Sequence, residues 1–283
     1  MRADELSSDD LCITDTRYGT TLSLDRCGDC GFRFASSPCL DQLGALYENL
    51  EDPAYEGSQE GRRLQMRSLV GRARQAVPTA VTALDVGAAS GLLVAEANRA
   101  GLAAVGIEPS RSLARLAQEQ NGADVVCGVL PHPQLERRHF DVVFLVDVIE
   151  HVVDPLTLLR CCMDRMAEGG SLVLVTPDMS GLAAGLLGSR CWHYRLAHVG
   201  YFDRRSLEAA FERVGLEAIG WHRPVWFFPL EYLAARLEVY LPIAWLNRLA
   251  LRIPPLEWLY RRVVRLRIPD SYVVVAKRAE PSE

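Results

Sequence analysis

Two acids carry the clearest chemistry in this chain, and a turn of small residues stands between them. Asp85 lies in the apolar run Ala83-Leu84-Asp85-Val86 and is followed at once by Gly87-Ala88-Ala89-Ser90-Gly91. Small residues let a backbone approach a ligand closely, and the helix expected from Leu92 offers unpaired N–H groups at its start. Glu108 closes the next apolar run, in Gly106-Ile107-Glu108-Pro109-Ser110. A carboxylate at such a strand end accepts hydrogen bonds from both hydroxyls of a ribose. Asp85 would repel a pyrophosphate, and residues 87–92 lack the Gly-x-Gly-x-x-Gly of a dinucleotide site. It suits an ammonium group instead. The pair therefore predicts a nucleoside bearing an amino acid in preference to NAD.

Histidines and cysteines offer further chemistry. His151 follows the apolar run Val142–Val146, and His198 lies in Ala197-His198-Val199-Gly200-Tyr201-Phe202 before another expected helix. Either imidazole titrates in the range useful for a general base. For His151 the competing reading is a packing residue at a helix start. Trp192-His193-Tyr194-Arg195 reads as part of an acceptor pocket or as surface packing. Cys27-Gly28-Asp29-Cys30-Gly31 has the form of a zinc knuckle, with glycines freeing the turn. Cys12 and Cys39 are the expected remaining ligands, with Asp15 as a substitute. The alternative is a degenerate knuckle held by packing alone. Cys127, Cys161 and Cys162 read as core thiols.

The elements that must position these groups follow from periodicity. Apolar runs at Val81–Val86, Ala103–Ile107, Asp124–Cys127, Val142–Val146 and Ser171–Thr176 alternate with helical patterns near 91–100, 110–120, 155–167 and 204–214. Such alternation predicts right-handed βαβ units and a parallel sheet covered on both faces. Five stretches result. They are a Cys-rich, zinc-ribbon-like segment (1–40), a helical cap (41–79), a ligand-binding core (80–223), a helical insert (224–269), and a last strand with tail (270–283). Within 224–268 lie seven arginines against three glutamates, together with Trp226, Trp245 and Trp258. This insert reads as a lid over the acceptor pocket, as an element meeting membrane lipid, or as a cover for one sheet edge.

Composition narrows the classes. Hydrophobic residues make up 49% and charged residues 24%, a balance that excludes wholesale disorder. The net charge of −5 argues against a nucleic-acid partner, which needs a basic footprint. No uncharged apolar run approaches the roughly 18–20 residues of a membrane span. The polar start Met1-Arg2-Ala3-Asp4-Glu5 lacks a secretory pattern, so the expected location is the cytoplasm, with the eight cysteines reduced or metal-bound.

With these residues in hand, the chain resembles the class I S-adenosylmethionine-dependent methyltransferases over residues 80–220 and 271–277. Leu84–Gly91 resembles the family's glycine-rich motif, with Ala89 in place of its middle glycine, and Glu108 its ribose-binding acid. Phe140-Asp141-Val142-Val143-Phe144 and Asp147-Val148-Ile149-Glu150-His151-Val152-Val153-Asp154-Pro155 resemble the fourth strand and the segment after it. Glu168-Gly169-Gly170-Ser171 resembles the turn into the fifth strand. The resemblance implies a Rossmann-like α/β fold, a seven-stranded sheet of order 3-2-1-4-5-7-6 with its last strand antiparallel. It places Asp85, Gly87, Ala88, Ala89 and Gly91 at the methionine part of S-adenosylmethionine and Glu108 with Pro109 at the ribose. Gly128 and Val129 fall at the adenine, and Asp147 and Val148 near the sulfonium. A methyl on Ala89 is tolerable if φ there is negative. Asp147-x-x-Glu150-His151 is also similar to the Glu-x-x-Glu-His metal motif of some ubiquinone-pathway O-methyltransferases.

The expected activity is methyl transfer to a small-molecule or lipid-linked acceptor, oxygen before nitrogen or carbon, with His198 and His151 as catalytic candidates. The cofactor is S-adenosylmethionine, with a structural zinc at Cys12, Cys27, Cys30 and Cys39 as the further expectation. A catalytically silent S-adenosylmethionine-binding partner or sensor is the alternative, and a nicotinamide oxidoreductase a second. The oligomeric state is left open.

Overall fold

The computed structural model describes residues 6–12, 17–51, 59–238, 240–241, 244–250 and 252–280. A short hairpin of β1 (Leu24–Arg26) and β2 (Arg33–Ala35) leads to α1 (Leu43–Glu48) and the long α2 (Gln59–Ala76). Then β3 (Thr82–Val86), α3 (Leu92–Arg99), β4 (Ala103–Glu108), α4 (Arg111–Asn121) and β5 (Val125–Cys127) alternate. They are followed by β6 (Phe140–Val146), α5 (Pro155–Arg165) and β7 (Met166–Pro177). After α6 (Leu182–Leu187) and β8 (Gly200–Tyr201) come α7 (Arg204–Val214) and β9 (Leu216–His222). The insert is β10 (Trp226–Pro229), α8 (Leu230–Glu238), α9 (Ala244–Ala250), α10 (Pro254–Tyr260) and β11 (Val263–Leu266), and β12 (Ser271–Arg278) closes the chain.

Seven strands form the central sheet in the order β5-β4-β3-β6-β7-β12-β9. β3, β4, β5, β6 and β7 run parallel, whereas β12 is antiparallel to both β7 and β9. Counted along the chain, this is the expected 3-2-1-4-5-7-6. The parallel strands are apolar on both sides because helices cover both faces. Leu84, Val86, Val143 and Leu145 pack with Leu159 of α5 and Phe211 of α7. Their neighbours Ala83, Phe144 and Val173 pack oppositely, with Leu69 and Ala73 of α2 and Val94 of α3. Helix starts are fixed by side-chain caps: Ser110 Oγ accepts from Leu113 N at 3.1 Å, and Asp154 Oδ1 from Thr157 N at 3.0 Å.

The described part of the first forty residues joins this core directly. β2 pairs with β8, Phe34 opposite Gly200, and Leu11, Ala35 and Leu43 share a buried cluster with Leu113, Leu196 and Ala197. α2 is tied to α3 by Glu96, which accepts from Arg63 (3.1 Å) and Arg67 (2.6 Å) and pairs with Arg99.

The insert departs from its periodicity in one place. Val263 extends the helical spacing of Leu256 and Leu259, yet it lies in β11, because the β-branched pair Val263-Val264 finds a partner strand in Phe228 and Pro229 of β10. That hairpin frames the three helices and passes close to α2, where a Cβ on Gly61 would meet the Phe227 carbonyl oxygen at only 2.2 Å. Among the described residues no helix is long and apolar enough to cross a membrane.

Candidate active site

The parallel sheet delivers both acids to one edge. β3 pairs with β4 so that Val86 faces Ile107, which places Asp85 and Glu108 at neighbouring strand tips. Both are buried, at 4% and 5% exposure. Burial pushes the Asp85 carboxyl up to about 7, and the neighbouring charge of Glu108 pushes the same way. Burial also raises Glu108, although Oε1 accepts from Ser110 N (2.9 Å) and Oε2 from Ala89 N (2.8 Å). No arginine, lysine or hydrogen-bond donor among the described residues answers Asp85. Two buried carboxyls without a counter-charge are an unfavourable arrangement unless a cation completes it.

The turn between them is shaped for close approach. Gly87 has φ +78°, and a Cβ there would meet Val148 Cγ2 at 2.4 Å. Gly91 has φ +72° and faces Ala117 and Ala123 of the next unit. Gly87 N and Ala88 N both donate to Ile107 O, at 2.9 and 3.0 Å, which ties the turn to β4. Ala89 corrects the expectation of a negative φ, because it sits at +46°. Its N–H bond to Glu108 holds it in this left-handed conformation, where the methyl is strained. Beyond β5, Gly128 N donates to Glu108 O at 2.9 Å, and Val129 is exposed. Pro109 lies between the two bonds that hold Glu108 to this edge, and its carbonyl accepts from the Cys127 thiol at 3.9 Å.

Asp147 and Val148 lie past β6. Asp147 has φ +53° and donates its N–H to Val175 O at 3.0 Å. Its side chain keeps solvent access, yet protein atoms crowd the carboxyl, and this desolvation with the charge of Asp270 pushes it upward against Arg62. Behind it Glu150, His151 and His198 present ligand atoms all within 4.8 Å of one another. The ring centroids of the two histidines are 4.8 Å apart, edge to face. Burial, then the charge of Arg195, holds His151 down to about 4. Burial and the nearby His151 depress His198 as well, so both rings are neutral at neutrality. Glu150 is raised by burial; one oxygen accepts from Thr176 Oγ1 at 3.1 Å, and Oε1 has no hydrogen-bond partner among the described residues. The trio that could hold a cation is therefore Glu150, His151 and His198, and Asp147 stands outside it.

The four cysteines are not brought together. Cys27 and Cys30 share the knuckle turn, where backbone N–H groups of Cys30 and Asp29 lower the Cys27 thiol. Cys39 is buried, with Sγ 3.1 Å from Ser37 Oγ, and Cys12 donates to Glu51 O at 3.5 Å. Asp15 lies outside the described residues. Of the three expected core thiols only Cys162 is buried; Cys161 is half-buried, and Cys127 is exposed because β5 is the sheet edge.

Three residues of the site escape a reading by spacing. Tyr47, which looked like part of an apolar helical stripe, is hydrogen-bonded through its hydroxyl to His151 Nδ1 at 2.8 Å. Asp270, just before the last strand, carries no motif in the sequence. It accepts from Trp192 Nε1 and Trp226 Nε1, each at 3.2 Å, and lies 3.4 Å from His193 Nε2. His132 packs against Gly128, where a Cβ would meet its ring at 2.9 Å. Only the proximity of the His132 ring to a glycine in the adenine-side loop marks it out.

Comparison with known proteins agrees with this geometry. The family described as "Methyltransferase domain" matches residues 58–219. The human mitochondrial ubiquinone biosynthesis O-methyltransferase is 32% identical over 112 residues, 36% of this chain and 30% of that protein. The corresponding enzyme of Cereibacter sphaeroides (strain ATCC 17025 / ATH 2.4.3) is 35% identical over 127 residues, 42% of this chain and 51% of that protein. The chain thus matches from about a third to half the length of these relatives. In fold, it is similar to an S-adenosylmethionine-dependent methyltransferase from Archaeoglobus fulgidus, with a TM-score of 0.53 at 17% identity over 80% of this chain and all of the other. A magnesium protoporphyrin IX methyltransferase from Synechocystis PCC 6803 gives 0.52 at 12% identity over 84% and 94%.

The strain at position 89 is measurable. Ala89→Gly is expected to raise unfolding stability by about 1 kcal/mol, the left-handed penalty net of glycine's entropy. Denaturant titration should show a higher midpoint at unchanged slope. A lower midpoint would contradict the assignment of strain to this residue.

Proposed function

Since the chain belongs to the class I S-adenosylmethionine-dependent methyltransferases, we propose that it transfers a methyl group to a hydroxyl oxygen of a small or lipid-linked acceptor. The observation that carries this reading is the buried pair Asp85 and Glu108 at adjacent strand tips, raised in pKa and without a cationic partner among the described residues. S-adenosylmethionine fits that pair. It brings an ammonium group, a sulfonium and a ribose diol, and it supplies the activated methyl when bound. In this reading Asp85 holds the ammonium, and Glu108 accepts from the ribose with the oxygen capacity left by its two backbone bonds. Gly87, Ala88, Ala89 and Gly91 line the methionine part. Pro109, Gly128 and Val129 flank the nucleoside, and Asp147 and Val148 lie nearest the reacting carbon.

The relatives' names favour oxygen as the acceptor atom, and a hydroxyl must lose its proton during attack. We assign that proton to His198, with His151 edge-on to it and Glu150 beside both to balance an imidazolium. A second reading, favoured by the partnerless Glu150 Oε1, has Glu150, His151 and His198 hold a divalent cation that lowers the hydroxyl's pKa. Chelation followed by restoration of activity with added metal would select it. Asp147 and Asp270, with Trp192 and His193, form the acceptor side of the site.

Glu108→Ala is expected to weaken binding of S-adenosylhomocysteine by roughly 1.5–3 kcal/mol, the range for hydrogen bonds to a charged group; calorimetry reads this directly, and unchanged affinity would remove Glu108 from the site. His198→Ala should lower kcat on a phenolic acceptor by about 10²-fold or more while cofactor affinity holds. Equal turnover would clear His198 of the role. Formation of S-adenosylhomocysteine from the cofactor and a metabolite extract supports the enzyme, whereas binding without turnover on an acceptor-containing extract supports a silent binding protein.

A further inference from the structure

The insert's three helices are amphipathic in the inverted sense. Their polar side chains point at one another: Asn247, only 7% exposed, donates to Glu238 Oε1 at 2.7 Å and accepts from the Tyr260 hydroxyl at 3.0 Å. Several of their described large apolar side chains are exposed. Trp245 and Leu249 stand one turn apart on α9, Leu256 and Leu259 on α10, with Trp258 beside them. Trp245 is 64% exposed and Trp258 60%. α6 adds Leu182 and Leu186, also one turn apart and both exposed, and its following turn is tied to the insert by Tyr240, whose hydroxyl donates to Arg190 O at 2.9 Å. A soluble surface rarely keeps so much indole and leucine in water without an occupant.

The charge around this face indicates its partner. Residues 224–268 hold seven arginines against three glutamates in a chain whose net charge is −5. Arg252, Arg261 and Arg262 are exposed among the apolar residues, and the Arg262 guanidinium lies over the Trp258 ring at 4.0 Å. An isologous pairing with a second copy would bring this same arginine-rich patch against itself, like charge near like charge. Tryptophan with arginine instead suits the boundary between headgroup and acyl chain, where the ring is half-buried and the guanidinium meets phosphate. We propose that the face formed by α9, α10 and the end of α8 docks this protein peripherally on an anionic lipid bilayer, Trp245 and Trp258 inserted and the arginines on phosphate. Docking there needs no transmembrane element and stands independently of the transfer chemistry.

The test uses the full chain with vesicles of phosphatidylcholine containing phosphatidylglycerol, against phosphatidylcholine alone. Association with the anionic vesicles is expected, with a blue-shifted tryptophan emission quenched by doxyl-labelled lipid. Arg261→Gln and Arg262→Gln should each lower the partition coefficient by about fivefold, and high salt should do likewise. Trp245→Glu should abolish insertion. Absence of association, equal association with both compositions, or binding indifferent to Trp245→Glu overturns the proposal. So does a dimer in solution that Trp245→Glu dissociates. Quenching is read on the unsubstituted protein, so the outcome does not depend on the variants folding.

Discussion

Negative charge forced into the interior is the constraint around which this molecule is arranged. Asp85 and Glu108 sit side by side at 4% and 5% exposure, and among the described residues neither has an arginine or lysine to answer it. Desolvation alone makes such a pair costly, and mutual repulsion adds to it. Backbone amides at Ala89 and Ser110 relieve Glu108 in part and leave Asp85 with nothing. The sheet tolerates this because β3 and β4 are locked by parallel pairing and by apolar packing on both faces. A rigid scaffold that holds like charges together is a preorganised receptor for a cation, since no reorganisation is needed when the counter-charge arrives.

The roof over this edge comes from segments far apart in the chain. Ser110 Oγ donates to Leu50 O at 2.8 Å, beside Glu108. His151 Nδ1 lies within hydrogen-bond reach of both the Tyr47 hydroxyl and Ala197 O. Val199 N donates to Glu150 O at 2.8 Å, which brings the loop bearing His198 onto the segment bearing His151. The amino-terminal hairpin, α1 and the loop before β8 therefore close over the strand tips as one packed unit. On the other flank Asp270 gathers two indole N–H groups, one from Trp192 and one from Trp226 of the insert's hairpin.

Much of the sheet was legible because its evidence is local. Val142–Val146 within β6 is an uninterrupted apolar run, as a strand covered on both faces must be, and the acids at 85 and 108 stand where strands end. β9 was harder to see, since Leu216–His222 lies at the sheet edge and is half-exposed, which blurs its alternation. β1 and β2 are three residues each, and β2 is joined to the rest of the chain by pairing with β8, whose Gly200 and Tyr201 lie far from it in sequence. The Cys-x-x-Cys turn was readable, but whether Cys12 and Cys39 join it depends on tertiary placement, and they do not. Likewise, Asp147-x-x-Glu150-His151 was the metal pattern readable in one dimension, and only the fold of the 191–199 loop brings His198 beside Glu150 and His151 in place of Asp147.

The electrostatic claim has a direct calorimetric test. With Asp85 raised to about 7 in the ligand-free protein, a ligand that sets its ammonium group against Asp85 must lower it and displace the proton it holds. Binding of S-adenosylhomocysteine at pH 6.5, measured in two buffers of different ionisation enthalpy, should then release on the order of one proton per site. Its affinity should rise as the pH is taken upward through 7. Asp85→Asn should abolish most of that release. Binding without proton release, at an affinity flat from pH 6 to 8, would contradict the account.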